Sequence, residues 1–214
     1  MIIKTLTVGN LACNNYLVVC ESTRQAVIID AGGEVDVVMR EIKAANAELK
    51  YILHTHGHFD HVAGNYLLRK QTGAKALIHK DDMPLIGMFK QHLMMFGEPD
   101  AENPVIDEDV EDGQVINVGE MRFKMIHTPG HSQGGVCYLV DNVLFSGDTL
   151  FSGSIGRTDL PGGSPEKIGE SIVNKLFALN DYVKVYPGHG PSTTIGYEKQ
   201  NNPYFGEKAR NRQW

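Results

Sequence analysis

Residues 54–61 read HTHGHFDH, four histidines and one aspartate within eight positions. Imidazole and carboxylate side chains at such density suit the holding of a metal ion. Three more residues of the same kinds follow in short glycine-containing stretches. His131 lies in HTPGHSQGG (127–135), Asp148 in LFSGDTL (144–150) and His189 in VYPGHG (185–190). With His56, His58, Asp60 and His61 they make seven candidate donors, five histidines and two aspartates. One zinc ion takes about four ligands, so seven donors suit two ions. Asp148 could give one oxygen to each. Two ions roughly 3.5–4 Å apart would hold a hydroxide between them. The absence of thiolate from the set argues against a structural zinc site and leaves zinc, iron or manganese.

The other histidines read differently. His54 shares the two-residue period of His56, so both face the same way along a strand. It is either a partner standing behind a ligand or a satisfied core histidine. His79, His92 and His127 read as ordinary polar residues, with His127 placed to brace the TPGH loop.

All four donor-bearing loops begin where an apolar, β-prone run ends. Residues 2–8, 16–20 and 26–30 read as strands, and the YIL of 51–53 runs straight into the histidine cluster. VINV (115–118), MRFKMIH (121–127), VCYLV (136–140), NVLFSGD (142–148) and VKVYP (183–187) read likewise. In a layered sheet, strand-end loops converge on one rim, and a site can be assembled there. Between the strands, residues 35–47, 63–73, 81–97 and 164–179 carry helical spacing. The last has Ser164 as its cap and Pro165 at its first position. The helix over 81–97 is rich in methionine: Met83, Met88, Met94 and Met95. That stripe is either core or a deformable apolar lid or contact surface. The acidic stretch 98–113 reads as a solvated connector.

Composition narrows the classes. The 214 residues are 42% hydrophobic and 21% charged, values of a globular chain, and one domain over 1–214 is expected. The net charge of −6 without a basic run excludes a nucleic-acid surface. No apolar run reaches membrane-spanning length, and no signal peptide is visible. Cys13, Cys20 and Cys137 are odd in number and lack CxxC spacing, which implies reduced thiols rather than a disulfide framework. A cytoplasmic protein is the expectation.

The motif set resembles the metallo-β-lactamase superfamily. Its HxHxDH signature stands here as HGHFDH (56–61), with His131, Asp148 and His189 downstream in the family's order. The resemblance covers nearly the whole chain. It implies an α/β fold, a four-layer αββα sandwich with the metal site along one edge of its two sheets. It assigns His56, His58 and His131 to one metal and Asp60, His61 and His189 to a second, with Asp148 bridging.

Within the superfamily, GDTLFSGSIGRTDLPGG (147–163) and PGHGPSTTIGYEKQNNP (187–203) are similar to the short bacterial form of the glyoxalase II branch. That likeness implies hydrolysis of a small-molecule thioester, S-D-lactoylglutathione or another glutathione conjugate, by a hydroxide bridging two divalent ions. Zinc is the first expectation. Asp60 would also orient the nucleophile. Where long glyoxalase II enzymes carry a basic residue and then an aromatic, this chain has Arg157 followed by Thr158 and Asp159. Arg157 is a candidate to pair with a substrate carboxylate, and equally a candidate to pair with Asp159 and brace its loop. The GRTD segment (156–159) also resembles the persulfide dioxygenases of this superfamily. There two histidines and one aspartate, here His56, His131 and Asp148, hold a single iron. Nuclease action is disfavoured by the acidic charge, and lactamase action by the missing export signal.

Overall fold

A computed structural model describes residues 1–210 of the chain. Strands β1 (Ile2–Val8), β2 (Cys13–Val19) and β3 (Gln25–Ile29) form an antiparallel meander. β4 (Glu48–Leu53) and β5 (Lys75–Ile78) join it in parallel, and the two-residue β6 (Glu108–Asp109) closes the edge. Parallel neighbours need a crossover. Helix α1 (Val35–Ala44) connects β3 to β4, and α2 (Phe59–Val62) with α3 (Asn65–Thr72) connects β4 to β5. The second sheet contains β7 (Val115–Val118), β8 (Met121–His127), β9 (Val136–Val140) and β10 (Val143–Gly147) in antiparallel succession. A hairpin of β11 (Leu150–Phe151) and β12 (Ser154–Ile155) follows. β13 (Lys184–Pro187) then pairs parallel to β10, with β14 (Thr193–Thr194) outside it.

The layering follows from side-chain alternation along strands covered on both faces. In β2, Tyr16 and Val18 point between the sheets, where they meet Phe123, Tyr138 and Phe145. Leu17 and Val19 point outward under α1 with Val38 and Ile42. On the far side, Cys137, Leu144 and Val185 pack beneath Ile168 and Ile172. Those two belong to α6 (Pro165–Glu170) and to the π-helical turn Ser171–Leu176 that continues it. The result is a four-layer αββα sandwich.

Several elements differ from the sequence expectation. The stretch expected as one helix over 81–97 is a 3₁₀ turn (Lys80–Asp82) followed by α4 (Met83–Gly87) and α5 (Phe89–Phe96). The break is at Met88, whose φ of −95° and ψ of 4° leave the helical region. The helix expected over 63–73 begins earlier, inside the histidine motif, and is interrupted before Asn65. The expected helix over 164–179 starts as read, with the Ser164 hydroxyl accepting from Lys167 N, but widens into the π turn. The acidic connector is not loop throughout, because Glu108 and Asp109 pair with Leu77 and Ile78. Helices α7 (Ile195–Asn201) and α8 (Glu207–Arg210) carry no expectation from the sequence reading.

Candidate metal centre

All seven donor residues lie at one rim of the two sheets. The first four follow β4: His58 caps α2, and Asp60 and His61 sit within that helix. His131 is in the loop from β8 to β9, Asp148 follows β10, and His189 follows β13. One sheet therefore supplies four donors and the other three.

The donors form two groups sharing Asp148. In the first, the ligating atoms of His56, His58 and His131 lie within 4.8 Å of one another. His58 Nδ1 stands 2.9 Å from His131 Nε2. In the second, His61 Nε2 is 3.3 Å from His189 Nε2 and 3.6 Å from Asp60 Oδ2. His189 Nε2 is 3.3 Å from that same oxygen. Asp148 faces both groups: Oδ1 is 3.4 Å from His61 Nε2, and Oδ2 is 3.5 Å from His131 Nε2.

The chemistry of these atoms fits a pair of cations. His56 Nε2 and Asp148 Oδ1 are buried without a hydrogen-bonding partner among the described residues, a costly state that a cation relieves. Burial, reinforced by the neighbouring histidines, holds the His56 pKa well below its ordinary value. Burial and His131 likewise push His58 down to about 3, against the pull of Asp60. Both rings are therefore neutral and offer a lone pair. Burial opposes charge on His61, yet Cys13, Asp148, Asp30 and Asp60 together push its pKa well up. Positive charge is thus favoured beside the carboxylates at His61 and His189, and a divalent ion meets that demand as a proton does.

A surrounding layer fixes the donors. Asp30, at the end of β3, is buried and takes a left-handed φ of 60°, a region that aspartate tolerates better than most residues. Its carboxylate accepts from Thr55 N and Thr55 Oγ1, each at 2.8 Å, and meets His61 Nδ1 at 2.8 Å. This sets the ring so that Nε2 faces the site. His131 Nδ1 donates to Arg157 O at 2.8 Å, and His189 Nδ1 to Leu11 O at 3.0 Å. Asp82, fully buried in the 3₁₀ turn, accepts from Gly57 N at 2.9 Å, Ser132 Oγ at 2.8 Å and Gly134 N at 2.6 Å. It ties the first histidine loop to the loop of His131. At Gly188 the neighbours approach too closely for a side chain. A Cβ on Gly188 would stand 2.2 Å from Asp148 Oδ1.

The remaining histidines also find their places. His54 stays outside both donor groups: its Nε2 meets Asn65 Nδ2 at 2.8 Å, and its Nδ1 is 3.8 Å from Asp30 Oδ1. His79 and His127 stack face to face with centroids 4.1 Å apart, and His127 Nε2 donates to Gln133 O, bracing the His131 loop. His92 lines the cleft over the donors. Arg157 also borders that cleft. Its guanidinium makes two 2.7 Å hydrogen bonds to Asp159, both side chains being exposed. The sequence reading missed Asp30, Asp82 and His92. For Asp30 a signal existed in VIIDAGG (27–33), an acid ending an apolar strand; for the other two there was none.

Above the donors is a cavity of about 350 Å³. Its floor includes His58, Asp60, His131, Asp148 and His189, and α4 and α5 form one wall. A larger cavity of about 560 Å³ lies on the other side of Leu11 and Phe59 and is bordered by Glu34, Asp36, Glu98 and Asp100. It touches the donor set only at Asp60, so the smaller cavity is the one that serves the site.

An αββα sandwich with nitrogen and oxygen donors for two ions along its sheet edge defines a class of metal-dependent proteins, most of them hydrolytic. The chain belongs to the metallo-beta-lactamase superfamily, whose family model matches residues 8–189. It is similar to the hydroxyacylglutathione hydrolase GloC of Haemophilus influenzae, with 34% identity across 91% of this chain and 94% of that one. The B3 metallo-beta-lactamase BLEG-1 superposes with a TM-score of 0.87 at 33% identity, covering 95% of this chain and 99% of its own. TTHA1623, solved in a di-iron-bound form, superposes with a TM-score of 0.86 at 34% identity, covering 94% of this chain and 100% of its own.

Proposed function

We propose that the protein is a metal-dependent hydrolase that cleaves a thioester. One observation carries the proposal: two donor groups share the Asp148 carboxylate, one oxygen toward each, at the floor of a substrate-sized cleft. The full-length likeness to GloC supports the thioester as the bond cleaved. His56, His58 and His131 would hold one ion, and Asp60, His61 and His189 the other, with Asp148 between them. Two such ions would supply Lewis acidity and a hydroxide near neutral pH, zinc and iron both suiting the donors.

The chain's own groups do the positioning. Asp60, whose Oδ2 stands 3.3 Å from His189 Nε2, would orient the attacking water. The thiolate is a good leaving group and asks for little acid assistance. Arg157 would receive one substrate anion at the rim by exchanging Asp159, a cheap exchange because an exposed ion pair is weakly held.

The test is metal content measured on the same sample as S-D-lactoylglutathione hydrolysis and oxygen uptake on glutathione persulfide. About two ions per chain with thioester turnover and no oxygen uptake is the expected result. One iron per chain with oxygen consumption would replace this reading by the persulfide dioxygenase.

A further inference from the structure

The wall of the cleft carries apolar side chains that stand partly exposed. On α5 and at the α4–α5 break, Met95 is 75% exposed, Phe96 48% and Met88 36%. All three line the same cavity as His58, Asp60 and His189. Leu160 and Pro161 stand among its lining too. Phe96 leans on Phe59 of the histidine motif, ring centroids 5.0 Å apart, so the apolar surface is continuous with the donor loop. Among the described residues bordering this cavity, Arg157 is the one permanent cation, and its guanidinium is engaged by Asp159. A glutathione moiety carries two carboxylates and an ammonium group and would find few partners here. Long apolar groups would find a deformable surface, because methionine adapts its shape to what it covers.

Resting on the hydrolase reading above, we propose that the substrates are thioesters whose bulk is apolar and uncharged, packed on Met88, Met95 and Phe96, with at most one anionic group at Arg157. The site then selects by chain length rather than by recognition of glutathione. A fully buried methylene is worth roughly fourfold in affinity. In a half-open cleft, the four methylenes that separate an acetyl from a hexanoyl group are worth about tenfold.

The experiment uses the metal-loaded protein and thioesters of the neutral thiol N-acetylcysteamine, acetyl through hexanoyl, beside S-D-lactoylglutathione. The expected result is a kcat/KM for the hexanoyl thioester about tenfold above the acetyl one and above S-D-lactoylglutathione. In the Met88→Ser, Met95→Ser double variant this chain-length dependence flattens. Calorimetric binding of the inert thioether S-hexyl-N-acetylcysteamine, about tenfold tighter than its S-ethyl analogue, gives a readout independent of turnover. A flat chain-length profile, or a clear preference for S-D-lactoylglutathione, overturns the apolar class and leaves the hydrolase standing. No turnover of any thioester overturns the hydrolase reading itself.

Discussion

The carboxylate of Asp82 links two donor loops far apart in sequence, and its removal has a calculable cost. Gly57 N, Gly134 N and Ser132 Oγ all donate to it, and the residue is fully buried. In Asp82→Ala each of the three donors is left without an acceptor in a place that water does not reach. At about 1–1.5 kcal/mol for each, the loss is about 3–5 kcal/mol. For a chain of this length, that lowers the melting temperature by about 10 °C. Asp82→Asn keeps one good acceptor but turns an amide toward at least one donor. Burial pushes the Asp82 carboxyl pKa above its ordinary value, so the native charge already bears a desolvation cost that asparagine avoids. The expected loss for Asn is therefore smaller, about 1–2 kcal/mol. Because the tie holds His58 and His131 in register, metal affinity should fall about tenfold in the alanine variant. Thermal unfolding followed by circular dichroism, with and without metal, reads the first effect; competition with a chromophoric chelator reads the second. If Asp82→Ala melts within about 2 °C of wild type and binds metal unchanged, the reasoning about this carboxylate is wrong.

Four further outcomes are expected. His58→Ala should lose metal and activity together, whereas His54→Ala should keep most of its metal, as elemental analysis of the purified variants would show. Asp30→Ala removes the acceptor from Thr55 and from the His61 ring; metal affinity should fall about 10–100-fold, read by chelator competition, with wild-type affinity as the contrary result. Gly188→Ala drives a methyl group into Asp148 Oδ1 and His61 Cε1, so the variant should fold but lose metal, which circular dichroism and metal analysis together would test. Arg157→Ala should raise KM much more than it lowers kcat, and an unchanged KM removes the residue from substrate contact.

The donor set was legible because histidine and aspartate at strand ends form a pattern that chance seldom makes. Most strands were legible as apolar runs with helical segments between them, while the four-layer sandwich came from the family resemblance; Tyr16 to Val19 carry the two-residue alternation that covers both faces of β2. What escaped had no local mark. Asp82 sits beside Asp81 at a helix start and looks like a cap, yet its partners are 25, 50 and 52 residues away. The break at Met88 hides inside a methionine-rich run that satisfies helical spacing on both sides of it. The π turn at Ser171–Leu176 has an ordinary helical composition that does not set it apart from the α-helix before it. β6 is two exposed acids, the reverse of strand composition, and exists because β5 offers an edge.

The donors are drawn from both sheets, and this makes the centre a clasp. Four come from the loop after β4 and three from the second sheet, and hydrogen bonds such as Asn14 N to Gly188 O, Val136 N to Thr55 O and Tyr16 Oη to Pro187 O cross the rim beside them. Neither sheet can present a complete site by itself. Cations would therefore bind fully only after the two halves have docked, and would then resist any sliding of one sheet over the other. Loading with metal should slow unfolding far more than it speeds folding, so the same ions that serve chemistry would also set how long the molecule lasts.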